Sequence, residues 1–425
     1  MTTQALIAPR TTSGRSRALG RARSAAGERE RARQLVVRHG WNSTSYQVLG
    51  AGLRHWFSPS GDALVGYAEH AGVRLVAGVP VTDEERLVAA ARGFERQARA
   101  DGFRVAYFAA EERFRTLTTG RYAAAVVGFQ PVWDVGLWRE RFDGSVSLRA
   151  QRSRARNKGV VVEEVPLHGG LVPSRAAEDL RACLRSWMAA RSLSPLGYLT
   201  AADPLGLLRE GTVASDAPGD RPSDRMLFVA RLRGRVVAYL VASPVPARRG
   251  WMVEQVVRGA DAPNGTTESL VDACARALAE TGAARLTLGL APLARRVGAE
   301  SDEDGAAKRT AQAEAALAAG TPMAVAVAAE LRDPTPTWLR WAFRWAYARG
   351  GWLYDFAGLE AFKAKFRPDR WEPVYLLSDE RELSPRTMVA VAAAFTGGRP
   401  LRTAAAGIGR AAGRGRRRSG KRAQR

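Results

Sequence analysis

Two cysteines and four histidines in 425 residues leave this chain little from which to build a disulfide framework or a zinc site. Cys183 and Cys274 each fall inside a helical pattern and read as core thiols, and His39, His55, His70 and His168 show no ligand spacing. Long apolar runs are also missing. Nothing approaches the ~20 consecutive apolar residues that a membrane-spanning helix needs, and the first residues lack the apolar centre of a signal peptide. The expectation is therefore a cytoplasmic protein. Acid is scarce as well: 42 Asp and Glu face 65 Lys and Arg, a formal net charge of +23. So large an imbalance implies a polyanionic partner.

Most of that charge lies at the ends. Residues 1–34 carry eight Arg against Glu28 and Glu30, and residues 399–425 carry ten Arg or Lys and no acid. Both stretches are rich in Gly, Ala and Ser and are expected to be disordered basic tails, suited to anionic lipid or RNA. Arginine drift in disordered ends is the alternative explanation.

What is present in quantity is patterned apolar sequence, 46% of the residues, in a chain long enough for two domains. Residues 63–68 and 73–78 read as paired strands. A helix opens at Asp83-Glu84-Glu85, with Leu87, Ala90, Phe94 and Ala98 at helical spacing. Residues 104–109 read as a strand, 111–119 as a short helix and 123–127 as a further strand. The second half repeats this order. A helix over 176–191 precedes a hairpin of 226–232 and 236–242 across Arg233-Gly234-Arg235, then a strand at 250–257, a helix over 266–281 and a strand at 285–289. This succession resembles the acetyltransferase-like (GNAT) fold. The expected class is thus α/β, with two tandem acetyltransferase-like units of mixed sheets flanked by helices. The units are drawn at 35–165 and 166–384, with loops at 202–224 and 294–335, and a helix and basic tail at 385–425.

Four segments could carry chemistry. In Phe362-Lys363-Ala364-Lys365-Phe366-Arg367-Pro368 three cations stand two apart, which on an extended backbone aligns them on one face for a phosphodiester or an oxyanion. An edge strand with snorkelling lysines is the bland alternative. Glu254, a carboxylate in an otherwise apolar strand, reads either as a base or ammonium holder, or as a surface ion pair with Arg258 or another cation. Asp261-Ala262-Pro263-Asn264-Gly265-Thr266 is a turn into a helix with Asn264 or Thr266 as N-cap, whose amides suit an anionic oxygen. Arg149, Arg152, Arg154, Arg156 and Lys158 form a dense basic cluster without acids close by in sequence, suited to phosphate contact, with a solvated linker helix as the alternative. Trp338, Trp341, Trp345 and Tyr347, with Arg340 and Arg344 between them and Arg349 just after, form an aromatic helix fit for a lipid headgroup interface, though such helices more often cover a sheet.

Taken together, the turn at 261–266, the strand Leu286-Thr287-Leu288-Gly289-Leu290-Ala291-Pro292-Leu293 and the Phe-Lys-x-Lys-Phe-Arg-Pro segment resemble, in order, the C-terminal catalytic domain of the phosphatidylglycerol lysyltransferase family, also called the multiple peptide resistance factor group. The likeness spans roughly residues 40–380. It implies transfer of an aminoacyl group, lysyl or alanyl, from aminoacyl-tRNA to the hydroxyl of phosphatidylglycerol or a related lipid at the inner face of the cell membrane, without metal or redox cofactor. It places catalytic roles on Glu254, Lys365 and Arg367. Substrate contacts fall on Arg258, Asp261, Asn264, Gly265, Thr266, Tyr354 and Lys363, and tRNA or lipid phosphate contacts on Arg149, Arg152, Arg156 and Lys158. The family commonly has Asp where Glu254 stands and a first arginine where Val257 stands, and its membrane-spanning half has no counterpart here. The acyl-CoA pyrophosphate loop of ordinary acetyltransferases is not found before Thr266. Transfer to a non-lipid acceptor, and an inactive homologue that binds RNA or membrane, are the alternatives.

Overall fold

Largely continuous apolar runs and short turns assemble twelve strands into one mixed sheet among the described residues, which in this computed structural model are 27–50, 52–167, 172–190, 197–199, 203–208, 224–294, 334–349 and 355–398. The first half contributes β1 (Arg54–Phe57), β2 (Leu64–His70), β3 (Val73–Ala77), β4 (Arg104–Ala110) and β5 (Ala123–Asp134). The second contributes β6 (Val160–Glu164), β7 (Met226–Leu232), β8 (Arg235–Val245), β9 (Gly250–Arg258), β10 (Arg285–Thr287), β11 (Ala291–Pro292) and β12 (Arg370–Ser378). Their spatial order is β1-β2-β3-β4-β12-β5-β10-β9-β8-β7-β6, with β11 beside β5. Two neighbouring pairs are parallel, β3 with β4 and β9 with β10, one in each half. The mixed α/β class expected from the sequence is what the chain adopts.

The halves are sewn together by strand exchange. β12, last in sequence, inserts between β4 and β5, and the long β5 reaches on to β10. Pro373 is tolerated in this central strand because Arg370–Val374 pairs with β5 alone; the second partner, β4, begins only at Tyr375, after a bulge. At Gly128 of β5 a side chain would stand 2.3 Å from the Ala291 carbonyl of β11, so the close approach requires glycine. Across the seam Arg248 donates to Glu111 at 2.8 Å and to Glu372 at 3.0 Å. Burial raises the Glu372 carboxyl, but Arg248 and Arg370 outweigh it and hold the group below its usual range.

Helices cover both faces. A helix over 27–39 (α1) precedes α2 (Glu84–Ala100), α3 (Glu112–Leu117), α4 (Trp138–Gly144), α5 (Val146–Asn157), α6 (Ser174–Ala189) and α7 (Thr266–Glu280). α8 (Thr337–Arg349), α9 (Phe356–Ala364) and α10 (Pro385–Phe395) complete the α-helices among the described residues. α2 is capped by Asp83, which accepts from the Arg86 amide at 3.0 Å, and it buries Leu87, Ala91, Phe94 and Ala98 against β4. α1 and α10 close the other face of the first half. The basic tail expected over 1–34 therefore yields to helix at residue 27, because Ala32 and Val36 bury completely and Arg33 finds Asp224 at 2.8 Å. In the second half α7 packs on one face and α6 on the other. The two cysteines sit apart in these two cores as free thiols, and burial pushes Cys183 up to about 11. No described helix is long and apolar enough to cross a membrane.

Candidate active site

β9 and β10 run side by side for three residues, ending at Met252 beside Thr287. Beyond that point they separate: β9 continues along β8 to Arg258, while the chain after β10 turns at Gly289 and crosses to β5 as β11. Into this fork come the first turn of α7 and the end of α9.

The segment carrying the three cations is helical, not extended. Asp355 caps α9 by accepting from the Gly358 amide at 2.8 Å, and the helix runs to Ala364, with Lys365 at its C-cap and Arg367 in the left-handed region at φ 51°. A helix turns each residue by ~100°, so the cations part company instead of aligning. Lys363 is buried and donates to the Gly289 and Leu290 carbonyls at 2.7 and 2.8 Å, fastening the departing strand to α9. Burial pushes its ammonium down to about 7. Lys365 donates to Glu268, in the first turn of α7, at 2.5 Å. Arg367 is exposed and makes no ion pair among the described residues. Phe366 is the anchor between them: fully buried, it stacks on Trp138 with ring centroids 6.0 Å apart, and its carbonyl accepts from the Trp133 indole at 2.9 Å. The alternation of cation and aromatic in the sequence therefore encodes a helix end pinned by one ring.

Glu254 sits at a bulge. Val253 pairs with Ala242 and Gln255 with Val241, so Glu254 is the extra residue. Without it alternation would hold one parity; with it Val253 and Val256, three apart, both pack in the core under α7. The Glu254 carboxylate is 5% exposed and gripped on two oxygens by Arg225, at 2.8 and 3.2 Å. Arg225 in turn lies over the Tyr46 ring at 4.7 Å, and Tyr46 donates to Asp224. The partner of Glu254 is thus Arg225, not Arg258. Arg258 donates instead to the Ala262 carbonyl and to Asn264 at 3.1 Å, closing the 261–266 turn.

The N-cap of α7 is Gly265, not Asn264 or Thr266. Asn264 is taken by Arg258, and the buried Thr266 hydroxyl donates back to Pro263 at 2.8 Å. Gly265 holds φ 93°, and a side chain there would meet the Gln151 carbonyl of α5 at 1.9 Å. Asp261 is exposed. Tyr354 lies outside the described residues.

The basic cluster forms α5, docked against α7. Arg152 is not left for phosphate: it pairs with Asp143, nine residues back, at 3.0 Å and with Asp272, which the fold delivers from 120 residues away, at 2.8 Å. Arg149 donates to the Asp143 carbonyl. Arg154, Arg156 and Lys158 remain exposed. No cluster of metal-ligating side chains occurs among the described residues.

The structure thus brings Lys363 to the carbonyls that follow β10 and Lys365 to Glu268 in the first turn of α7, and leaves Glu254 in a separate ion pair. Sequence reasoning missed Glu268 and Arg225. Glu268 reads as an ordinary acid in a first helical turn, and Arg225 carries no local signal at all.

No curated protein matches the chain at a significant level. Two solved structures share its fold. One is the C-terminal domain of a protein described as a lysylphosphatidylglycerol synthetase from Agrobacterium fabrum, with a TM-score of 0.63 and 20% identity, covering 88% of this chain and 98% of that one. The other is L-PGS from Bacillus licheniformis, with a TM-score of 0.64 and 18% identity, covering 86% and 96%. The family model described as "Phosphatidylglycerol lysyltransferase, C-terminal" matches residues 33–378, which take in both halves, the fork and β12. By that match the chain belongs to the phosphatidylglycerol lysyltransferase C-terminal family, a family of transferases.

Proposed function

We propose that the chain moves an aminoacyl group, lysyl or alanyl, from the 3′ end of a tRNA to a glycerol hydroxyl of phosphatidylglycerol. The observation that carries this reading is the family match over residues 33–378 joined to the Lys365–Glu268 pair at the fork. An aminoacyl ester is already reactive, so positioning and charge stabilisation suffice. The lipid hydroxyl attacks the ester carbonyl, a new C–O bond forms, and the tetrahedral oxyanion collapses as the tRNA ribose oxygen leaves with a proton. Glu268 accepts the proton of the attacking hydroxyl while Lys365, released from it, turns to the oxyanion. Arg367, exposed at the next turn of chain, meets a phosphate of lipid or tRNA. Exposed Arg154, Arg156 and Lys158 on α5 supply further phosphate contacts. Glu254 is already neutralised by Arg225, so its part is to hold Arg225 and the bulge.

The test is incubation with separately charged Lys-, Ala- and Arg-tRNA and phosphatidylglycerol vesicles, with aminoacyl-lipid read by mass spectrometry. Product is expected with at least one donor and is lost in Lys365→Ala. No lipid product from any of the three, with the protein folded, refutes the reading; accelerated loss of the tRNA ester without lipid product moves the acceptor off lipid.

A further inference from the structure

We propose that α8 is a docking element whose outward tryptophans seat the protein on an anionic lipid bilayer. The helix has two unlike faces. Leu339 is 1% exposed and, with Phe343, packs in the core of the first half, which also takes in Ala125 and Val127 of β5, so α8 does cover the sheet. Trp338, Trp341 and Trp345, at spacings of three and four that place them on one stripe, point the other way and are 44%, 69% and 49% exposed. Large apolar side chains left outside singly need no explanation, but three indoles on one stripe do.

The occupant is argued from charge and chemistry. Arg340 and Arg344 are exposed between the tryptophans, and the helix contains no acid. Indole rings interleaved with arginine suit the interface between headgroups and acyl chains, where the ring meets hydrocarbon and the guanidinium meets phosphate. A protein partner would need acids opposite the arginines, whereas phosphatidylglycerol presents one phosphate per headgroup. The net charge of +23 favours the same surface. The helix is also tied to the fork: Tyr347 donates to Glu360 of α9 at 2.8 Å, and Thr335, just before α8, accepts from the β5 Val126 amide at 2.8 Å. Docking through α8 therefore fixes the height of α9, with Lys365 and Arg367, relative to the bilayer. The choice of phosphatidylglycerol as the bilayer lipid rests on the proposed function above; docking itself is measured without it.

The experiment uses the full chain with vesicles of phosphatidylcholine, with or without phosphatidylglycerol, carrying brominated acyl chains that quench inserted indoles. Quenching is expected with the wild type. In W338A/W341A/W345A it should disappear and partitioning should fall on the order of a hundredfold, the scale set by three aromatic rings losing apolar burial. R340E/R344E should weaken binding to phosphatidylglycerol vesicles by about tenfold or more and leave weak binding to phosphatidylcholine unchanged. The proposal is overturned if the triple variant, folded by circular dichroism, binds and is quenched like the wild type. It is equally overturned if the wild type does not bind, or if lipid-free wild type is a dimer that the triple variant dissolves, which would make the stripe an interface between copies. Aminoacyl transfer to detergent-dispersed lipid, which needs no docking, separates the two readings: its absence beside intact quenching sinks the reaction and leaves the docking element.

Discussion

Replacing Glu254 separates a structural from a chemical role. The carboxylate is 5% exposed and Arg225 22% exposed, joined by two bonds of 2.8 and 3.2 Å. Glu254→Ala leaves the guanidinium largely buried beside Tyr46 with its main partner gone. Breaking a buried pair from one side costs about 3–5 kcal/mol, and because Arg225 keeps some access to water and to Asp224 the lower end applies, about 3 kcal/mol. Arg225→Ala costs a similar amount. The double variant loses both charges together and should be less harmed than the two changes summed, with a coupling of about 1.5–3 kcal/mol. Urea unfolding read by far-UV circular dichroism, compared at constant slope, gives the four stabilities. Aminoacyl transfer is measured at a denaturant-free temperature where all four are folded. Glu254→Ala with wild-type stability, a coupling below about 0.5 kcal/mol and lost activity would refute the structural assignment and return Glu254 to the chemistry.

Other expectations follow from single contacts. Lys365→Ala should abolish transfer and also cost about 1–3 kcal/mol in urea unfolding, because it leaves the buried Glu268 carboxylate, 11% exposed, without this partner; transfer at the wild-type rate by the folded variant would contradict it. Phe366→Ala, which removes a fully buried ring from between Trp133 and Trp138, should cost about 3–5 kcal/mol in urea unfolding. Gly265→Ala should cost more than about 2 kcal/mol, since it combines a left-handed backbone with a 1.9 Å approach to the Gln151 carbonyl; a neutral result would mean α5 does not press on α7 as described. Lys363 is depressed to about 7 by burial, so between pH 7 and the ~10.4 of an unfolded lysine the unfolded chain binds the extra proton. Stability should therefore rise from pH 7 to 9 relative to Lys363→Met, which lacks the titration. A flat difference between the two proteins across that range would show the ammonium to be unperturbed.

The sequence determined the elements and their kind. The continuous apolar runs at β7 and β8, the Arg233-Gly234 turn and the α2 face of Leu87, Phe94 and Ala98 were legible because each depends on neighbours within a few residues. The three ordered motifs pointed to the family for the same reason: each is a contiguous stretch. The cation segment was misjudged as extended, since spacing by two suits a strand; the Asp355 cap and the burial of Phe366 between two tryptophans from β5 and α4 make it a helix end.

What only the tertiary structure decided is which charges are spent and which are free. Arg152 meets Asp272 across 120 positions, Lys365 meets Glu268 across 97, and Glu254 meets Arg225 across 29. Local patterning carries no record of such pairings, because they arise when strand exchange through β12 and the fork between β9 and β10 bring distant segments together. Whether α8 shows its leucine or its tryptophans to water was likewise open in the sequence, where both faces are apolar. The burial of Leu339 in the core of the first half settled it and turned the indoles outward.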